Sequence, residues 1–254
     1  MALTSPLRAL WLGRRRYAPV YDLQRQLLEL RKGAACPDTL LLVEHESVIT
    51  LGRGAQAQHV SASPETLENL GVERFVIDRG GDVTLHAPGQ LVAYPIVDLG
   101  SHRKDVRRYV QDLAETMRRL LAEFGIDSGL APCIGVWVDS AQPQHYPGAD
   151  AAVNLAKIGA IGVRISRWVT MHGFALNLST DMSLFELIVP CGIRHHGVTS
   201  VQQLLGSAPS VAQAARRTPE TFAAVLDTEV GAWLDVSAHP WQRILRDLAV
   251  SGAA

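Results

Sequence analysis

Three features are scarce or absent in this sequence, and each absence excludes a class of protein. The 254 residues include three cysteines, Cys36, Cys133 and Cys191, which are too few and too scattered for a disulfide framework. No apolar run approaches the roughly 18 residues that a membrane-spanning helix needs. Basic residues are not in excess, since 24 Lys and Arg face 25 Asp and Glu, which excludes a general nucleic-acid binder. We therefore expect a soluble, cytoplasmic protein with neither a membrane nor a nucleic-acid partner.

The composition that remains is that of a folded globular chain. Hydrophobic residues make up 47% of the sequence and charged residues 19%. A chain of this length buries roughly 70–75% of its unfolded surface, so disorder and fibrous repeats are excluded. No internal repeat or long low-complexity tract divides it. We predict one domain over residues 1–254, of which about 207–254 form a helical C-terminal extension.

Apolar residues at helical spacing predict the main helices. One covers about Tyr21–Arg31 and ends at Gly33, where a left-handed residue is favoured. A second covers about 104–124 and has the strongest amphipathic pattern in the chain. Near the C-terminus, the Thr-Pro pair at 218–219 predicts the start of another helix. The polar, Ala-rich stretch 207–217 before it is interpreted as a linker.

Short runs of β-branched and apolar residues predict strands. They are Leu40–Val43, Val48–Leu51, Phe75–Ile77, Val83–Leu85, Ile134–Val138, Ile158–Ile165 and Val169–Leu176. The turn Arg79–Asp82 predicts a hairpin between the third and fourth strands, and Ser166-Arg167 predicts one between the last two. Strands and helices alternate without regular βαβ units. The predicted fold class is therefore α/β, with a mixed sheet and packed helices, and not a doubly wound sheet.

The segment Arg79–Gln90 combines turn glycines with polar side chains. Gly80 and Gly81 allow a backbone to approach a ligand closely, and Thr84 and His86 lie on one face of a strand. The alternative is an ordinary Gly-Gly turn followed by a strand with a polar face. The residues by themselves leave both interpretations open.

Lys157 begins an otherwise apolar run, Ile158–Val163. A lysine amine that is buried loses hydration of its charged form and can then act as a base. The alternative is a lysine at a strand end with its amine in water, which is the commoner situation for this residue.

Cys191 lies in a predicted loop, followed by Arg194, His195 and His196. Positive charge nearby favours the thiolate, which is the reactive form of cysteine. A metal site made by this cysteine and the two histidines is disfavoured, because adjacent histidines lack the usual ligand spacing. Cys133 begins a strand-like run and is interpreted as a small core residue.

Five short blocks of the sequence occur in one order along roughly 150 residues, which is more specific than any single motif. They are Glu44-His45 with Thr50–Arg53, RGGDVTLHAPGQL (Arg79–Leu91) leading into Tyr94-Pro95, KIGAIGVR (Lys157–Arg164), Trp168 with MHGFALN (Met171–Asn177), and PCGI (Pro190–Ile193). In these blocks the chain resembles the octanoyltransferases of lipoate biosynthesis, the lipoyl(octanoyl) transferase family. The resemblance implies a fold related to the biotin and lipoate protein ligases.

The resemblance also implies an activity. An octanoyl group would pass from octanoyl-acyl carrier protein to a lysine of a lipoyl domain, the first step of endogenous protein lipoylation. Cys191 would carry the acyl group as a thioester, and Lys157 would act as general acid/base. The acceptors would be the lipoyl domains of 2-oxoacid dehydrogenases and the H protein of glycine cleavage. No cofactor and no metal are expected, because a thioester is already activated.

In the family, substrate contacts come from three segments. The matching residues here are Arg79, Gly80, Gly81, Asp82, Val83, Thr84, Leu85, His86, Ala160, Ile161, Gly162, Gly173, Phe174 and Ala175. Three alternatives stay open: an ATP-dependent lipoate or octanoate protein ligase of the same fold, a cysteine hydrolase in which Cys191 pairs with His172 or His86, and a module that only binds acylated carrier protein.

One face of the predicted helix 104–124 carries a basic strip. Its members are Lys104, Arg107, Arg108, Arg118 and Arg119. The strip is either an ordinary solvated face with local ion pairs or a docking surface for an acidic carrier protein. We favour the solvated face, because charged residues opposite an apolar stripe are the usual pattern.

Overall fold

Eleven strands and five α-helices lie within the residues that the structure, a computed structural model, describes, namely 6–101, 103–189, 196–241 and 244. The strands are β1 Leu7–Arg15, β2 Thr39–His45, β3 Val48–Leu51, β4 Glu73–Val76, β5 Val83–His86, β6 Gln90–Ile96, β7 Val136–Asp139, β8 Leu155–Ser166, β9 Val169–Asn177, β10 Gly197–Val198 and β11 Val230–Asp235. The helices are α1 Tyr17–Lys32, α2 Pro64–Asn69, α3 Val106–Glu123, α4 Val201–Leu205 and α5 Val211–Leu226, and 3₁₀ turns cover Ala57–His59 and Met182–Leu187. Over the described ranges, no helix is both long and apolar enough to cross a membrane.

Eight strands form a large mixed sheet in the order β10-β8-β9-β6-β2-β1-β11, with β7 also paired to β8. β1 is parallel to β2 and β11, whereas β6 and β9 are antiparallel to their neighbours. The β8–β9 hairpin is present, with Ser166 paired to Val169. The prediction of a mixed sheet with packed helices is confirmed.

A small sheet of three strands has the order β4-β3-β5, so the hairpin predicted at Arg79–Asp82 is wrong. β4 and β5 each pair with β3 and not with each other. The turn backbone is used elsewhere, because Gly80 N–H donates to the Val163 carbonyl of β8 (2.9 Å) and the Arg79 carbonyl accepts from Arg53 N–H (3.0 Å). The Gly-Gly segment therefore links the two sheets.

Helices cover both faces of the large sheet. On one face, α3 and α5 bury Met117 and Phe222 with Phe174 of β9 in the main core. On the other face, α1 buries Leu23 and Leu27 in a second core. The prediction of α3 is confirmed, and its N-cap is Asp105, whose carboxylate accepts from Arg108 N–H.

The C-terminal part of the chain differs from its prediction. The stretch 207–217 is not a linker, because α5 begins at Val211 behind a capping box made by Ser210 and Gln213. Pro219 lies inside this helix and does not open it. Residues 230–235 form β11, which pairs with β1, so the prediction of a helical extension is wrong for this strand.

The N-terminal part also contains more regular structure than its pattern predicted. Leu7–Arg15 forms β1, an interior strand of the large sheet whose first seven residues are buried, so no polar alternation marks it. α1 begins at Tyr17, one turn before the predicted start at Tyr21. Gly33 has φ −86°, and the left-handed position falls on Ala34 (φ +54°).

Candidate active site

A cavity lies between the small sheet and the β6-β9-β8 part of the large sheet. Among the residues that resemblance assigned to substrate contact, all but Gly80 and Leu85 line it, and so does Lys157. Three sequence blocks that are far apart along the chain therefore meet at one place. The lining also contains residues that were not predicted, among them Tyr17, Ile77, Gln90, Tyr94, Asn177 and Phe185.

The two exceptions have clear structural reasons. Leu85 packs in the core of the small sheet, where it is fully buried. The Gly80 N–H donates to the backbone of β8 at the Val163 carbonyl. Its neighbour Arg79 is buried and donates to the Thr50 carbonyl (2.9 Å) and hydroxyl (3.1 Å), which fixes the guanidinium at the cavity wall.

A β-bulge in β8 determines which of its residues face the cavity. Trp137 of β7 pairs with Lys157. Val136, one residue earlier, pairs with Gly159, two residues further along β8, so β8 carries one extra residue. The Cα–Cβ direction at Gly159 points at Met117 of α3 on the opposite face. Along β8 the cavity is lined by Lys157 and by residues 159–162, whereas Ile158 between them is buried in the main core.

Lys157 is 7% exposed, so the interpretation of a strand-end lysine with its amine in water is wrong. The side chain lies at the cavity wall, with Nζ 5.6 Å from the centroid of the Trp137 ring. An ammonium over an indole face is attracted by the ring quadrupole. The fold therefore holds a buried lysine against an aromatic ring at the edge of an otherwise largely apolar space.

Cys191 lies outside the described residues, together with Pro190 and Gly192. Before this segment, Val189 N–H donates to the His59 carbonyl (2.8 Å). After it, the His196 ring meets the Trp137 ring edge-on at 5.8 Å, and Val198 of β10 pairs with Lys157.

The other two cysteines lie in described parts of the chain, and neither lines the cavity. Cys36 is buried beneath α1, with its thiol 3.8 Å from the Leu27 carbonyl. Cys133 is only partly buried and precedes β7, which begins at Val136. The interpretation of Cys133 as a core residue is therefore wrong, because the segment before the strand runs along the surface.

Buried imidazoles and aromatic rings cluster at the opposite end of the cavity, where His86 and Tyr94 line it and His45 packs against both. His45 Nδ1–H donates to the Arg15 carbonyl (3.0 Å), and its Nε2 accepts from the Tyr94 hydroxyl (2.9 Å). His86 Nδ1–H donates to Gln90 Oε1 (2.7 Å). Burial lowers the pKa of His45 to about 4 and that of His86 to about 3. Both rings are therefore neutral at pH 7.

His172 completes this imidazole end, and its backbone is held in the left-handed region at φ +61°. Its N–H donates to the Gln24 side chain (3.0 Å), and its Nε2 lies 3.3 Å from Asp78 Oδ1. Burial lowers the pKa of His172, while its hydrogen bond and the Arg164 guanidinium lower the pKa of Asp78 to about 2. A non-glycine residue with positive φ is uncommon and persists only where its surroundings hold it.

A hydrogen-bonded chain runs between the two ends. Gln90 donates to Asn177 Oδ1 (2.8 Å), and Asn177 donates to the Thr199 carbonyl (3.0 Å). Thr199 N–H then donates to the Lys157 carbonyl (2.9 Å). Over the parts of the chain that are described, no three His, Cys, Asp or Glu side chains are grouped as metal ligands.

The fold is similar to that of the catalytic domains of lipoate and biotin protein ligases. A bipartite lipoate protein ligase from Thermoplasma acidophilum superposes with a TM-score of 0.68 at 14% identity, over 98% of this chain and 94% of that one. Lipoate-protein ligase A bound with ATP gives 0.67 at 14% identity, over 98% and 96%. Biotin protein ligase from Aquifex aeolicus, in complex with biotin and ATP, gives 0.51 at 12% identity, over 95% and 76%.

Residues 16–223 match the lipoyl protein ligase A/B catalytic domain, and the chain belongs to this family. It is 43% identical over 242 residues to the octanoyltransferase of Myxococcus xanthus, covering 95% of this chain but 64% of that longer protein. It is 48% identical over 209 residues to the octanoyltransferase of Chloroflexus aurantiacus, covering 82% of this chain and 88% of that protein.

Proposed function

We propose that this chain is an octanoyltransferase that moves an octanoyl group from the thioester of an acyl carrier protein to a lysine of a lipoyl domain. The observation that carries the proposal is the buried Lys157 at the wall of a cavity that gathers the predicted substrate segments. Identities of 43–48% to relatives named octanoyltransferase support the same reaction.

The cavity walls suit an acyl chain. Val83 and Phe185 line it from the side of the small sheet, and Ala160, Phe174 and Ala175 line it from the large sheet. Each methylene that leaves water for such walls contributes about 0.8 kcal/mol. The small side chains at Ala160 and Ala175, which pair across β8 and β9, leave room for a chain between the sheets.

The first half-reaction transfers the acyl group to Cys191. Its thiolate attacks the carbonyl carbon of the thioester, an S–C bond forms, and the bond to the carrier sulfur breaks. The Lys157 amine takes the proton of the attacking thiol, and the ammonium returns it to the departing carrier sulfur. Support for the partnership is that Val198, seven residues after Cys191, pairs with Lys157.

The second half-reaction transfers the acyl group to the acceptor. The lysine amine of the lipoyl domain attacks the acyl carbon, the C–N bond forms and the C–S bond to Cys191 breaks. Lys157 passes the amine proton to the cysteine sulfur, which restores the starting state. A thioester donor supplies the activation that ATP supplies to a ligase. We propose acceptors among lipoyl domains of 2-oxoacid dehydrogenases and the H protein of glycine cleavage, and a cytoplasmic location.

Intact-protein mass spectrometry tests the proposal. After incubation with octanoyl carrier protein and no acceptor, the chain should gain the mass of one octanoyl group, and hydroxylamine should remove it. Cys191→Ser should lose both the adduct and transfer. Cys133→Ser and Cys36→Ser are the matched controls and should keep both, since neither residue lines the cavity.

Other outcomes of this experiment contradict the proposal in distinguishable ways. Activity with free octanoate and ATP, and none with the carrier thioester, identifies an ATP-dependent ligase. Steady release of octanoate without an acceptor identifies a hydrolase. Binding of acylated carrier protein without any adduct or transfer identifies a module that only binds.

A further inference from the structure

The backbone of Gly135 passes directly against the Lys157 side chain. A Cβ placed on Gly135 would lie 2.4 Å from Lys157 Cε and 3.1 Å from Nζ, and 2.6 Å from the Gly159 carbonyl oxygen. The first and last of these distances are shorter than real Cβ atoms tolerate. Gly135 also has φ +145°, where residues with a side chain are strained. Any other residue here would compete with the lysine for space.

Trp137 borders the same lysine two residues further along. It pairs with Lys157 in the sheet, and its ring centroid lies 5.6 Å from Nζ. The ring is 2% exposed, and its Nε1–H donates to the Cys133 carbonyl (2.9 Å), which fixes its orientation. The register irregularity between β7 and β8 falls between Val136 and Trp137.

We propose that Gly135 and Trp137 are positioning residues that hold the Lys157 ammonium at the cavity wall. Gly135 leaves the space through which the lysine stem runs, and the anchored Trp137 ring sets where the ammonium stops. The bulge in β8 sets the direction in which the Lys157 side chain leaves the strand, and Gly135 and Trp137 set the position of its ammonium group. The inference rests on the proposed function for its catalytic consequence, but not for its geometric part.

Gly135→Ala has a predictable effect on the lysine. A new methyl group meets both the Lys157 stem and the Gly159 backbone, and the flexible end of the lysine is the part that can move. We expect the ammonium to leave its place beside Trp137, and the β8 backbone at Gly159 to shift locally to relieve its own contact with the methyl group. Misplacing a catalytic group by about 1 Å costs up to roughly a hundredfold in rate.

Acylation of the lysines with acetic anhydride measures this displacement directly. The chain contains three lysines, Lys32, Lys104 and Lys157, so peptide mass spectrometry resolves each of them. Lys104 is exposed and serves as the internal reference. In the folded parent, Lys157 should react more slowly than Lys104. In Gly135→Ala the ratio of the two rates should rise several-fold, because a displaced amine is more accessible to the reagent.

Steady-state kinetics separates positioning from a general loss of structure. Gly135→Ala should lower kcat for transfer about tenfold or more, with KM for the carrier thioester within about twofold. Gly148→Ala is the matched control. Gly148 also has a positive φ (+103°), but a Cβ on it meets nothing within 4 Å, so it should change neither the acylation ratio nor kcat.

A second variant decides the matter if Gly135→Ala does not fold. Trp137→Phe keeps an aromatic ring but loses the Nε1–H that anchors it to the Cys133 carbonyl. It should raise the Lys157 acylation ratio and lower kcat. An unchanged ratio in whichever of the two variants folds overturns the inference. A raised ratio in either variant, when the parent itself transfers no octanoyl group, upholds the positioning and refutes the proposed function.

Discussion

The two ends of the cavity hold polar side chains by different means. The lysine end is built around Lys157, which lies against Trp137 and the bare backbone of Gly135. The imidazole end contains His172, which pairs with Val163 of β8. Val163 lies six residues after Lys157, a distance of about 20 Å along an extended strand. The rings of the imidazole end are neutral and are tied to carbonyl, hydroxyl and amide partners.

From this comparison we expect the polar residues at the two ends to have different roles. A buried imidazole whose nitrogens are satisfied stabilises the fold and shapes the space beside it. Under the proposed function, the Lys157 amine beside the Trp137 ring carries a proton during transfer. We therefore expect substitutions at the lysine end to change turnover, and substitutions at the imidazole end to change stability.

The largest expected effect is at Lys157. Lys157→Ala should lower kcat by roughly 10²–10⁴, the usual contribution of a general acid/base. Lys157→Arg should be nearly as damaging, because a guanidinium stays charged and cannot carry the proton. Single-turnover transfer from octanoyl carrier protein measures both. Retention of most activity by Lys157→Arg would show that the residue acts only through its charge.

At the imidazole end, acid should destabilise the fold through His86. The pKa of His86 is about 3 in the folded chain and near 6.5 in the unfolded chain. Below pH 6.5 the unfolded chain therefore binds a proton that the folded chain does not bind. The contribution of His86 to the free energy of unfolding is fully present above pH 6.5. It falls as the pH drops, by up to about 1.4 kcal/mol per pH unit.

His86→Asn tests this assignment, because it keeps a donor for Gln90 while removing the titrating ring. Urea unfolding at pH 7, 6 and 5 should give a flatter dependence of the unfolding free energy on pH than in the parent. His145→Asn, at an exposed histidine, is the control for loss of a ring elsewhere. Parallel curves for the parent and His86→Asn would contradict the role of His86.

Between the two ends, Ala160→Phe should shorten the acyl chain that fits. The new ring would fill space opposite Ala175 and raise KM for the octanoyl donor roughly tenfold, as overfilling a packed space usually does. A butanoyl donor should be affected far less, so a series of acyl lengths gives the measurement. Ala160→Gly is the control. Equal losses for both donors would mean that the chain does not lie along this part of β8.

The smallest effect is expected outside the cavity, on the basic strip of α3. Arg108 pairs with Asp112 (3.0 Å), and Arg118 and Arg119 pair with Glu115. Reversing Arg107 and Arg108 to Glu should change KM for the carrier thioester by no more than about twofold. A large rise at low salt, absent with a small octanoyl thioester, would instead make the strip a docking surface.

Sequence pattern predicted the elements whose defining contacts are local. The apolar spacing in 104–124 predicted α3, and Ser166-Arg167 predicted the β8–β9 hairpin. Both predictions succeeded because the residues that define a helix face or a tight turn lie close together in the sequence. The hairpin at Arg79–Asp82 failed for the opposite reason. β5 pairs with β3, about 35 residues earlier in the chain, and a turn motif carries no information about that partner.

The mixed α/β class and the family could both be predicted from the sequence, because the order of the five blocks is read along the chain without any knowledge of contacts. The sequence also singled out Lys157. Three further features are visible only in the folded chain. Three of the blocks meet in one cavity, β8 carries one extra residue next to Lys157, and Tyr17 and His172 line the cavity away from the lysine. Strand pairing between distant segments and one extra residue in a ladder set the direction of side chains, and neither changes the local sequence pattern.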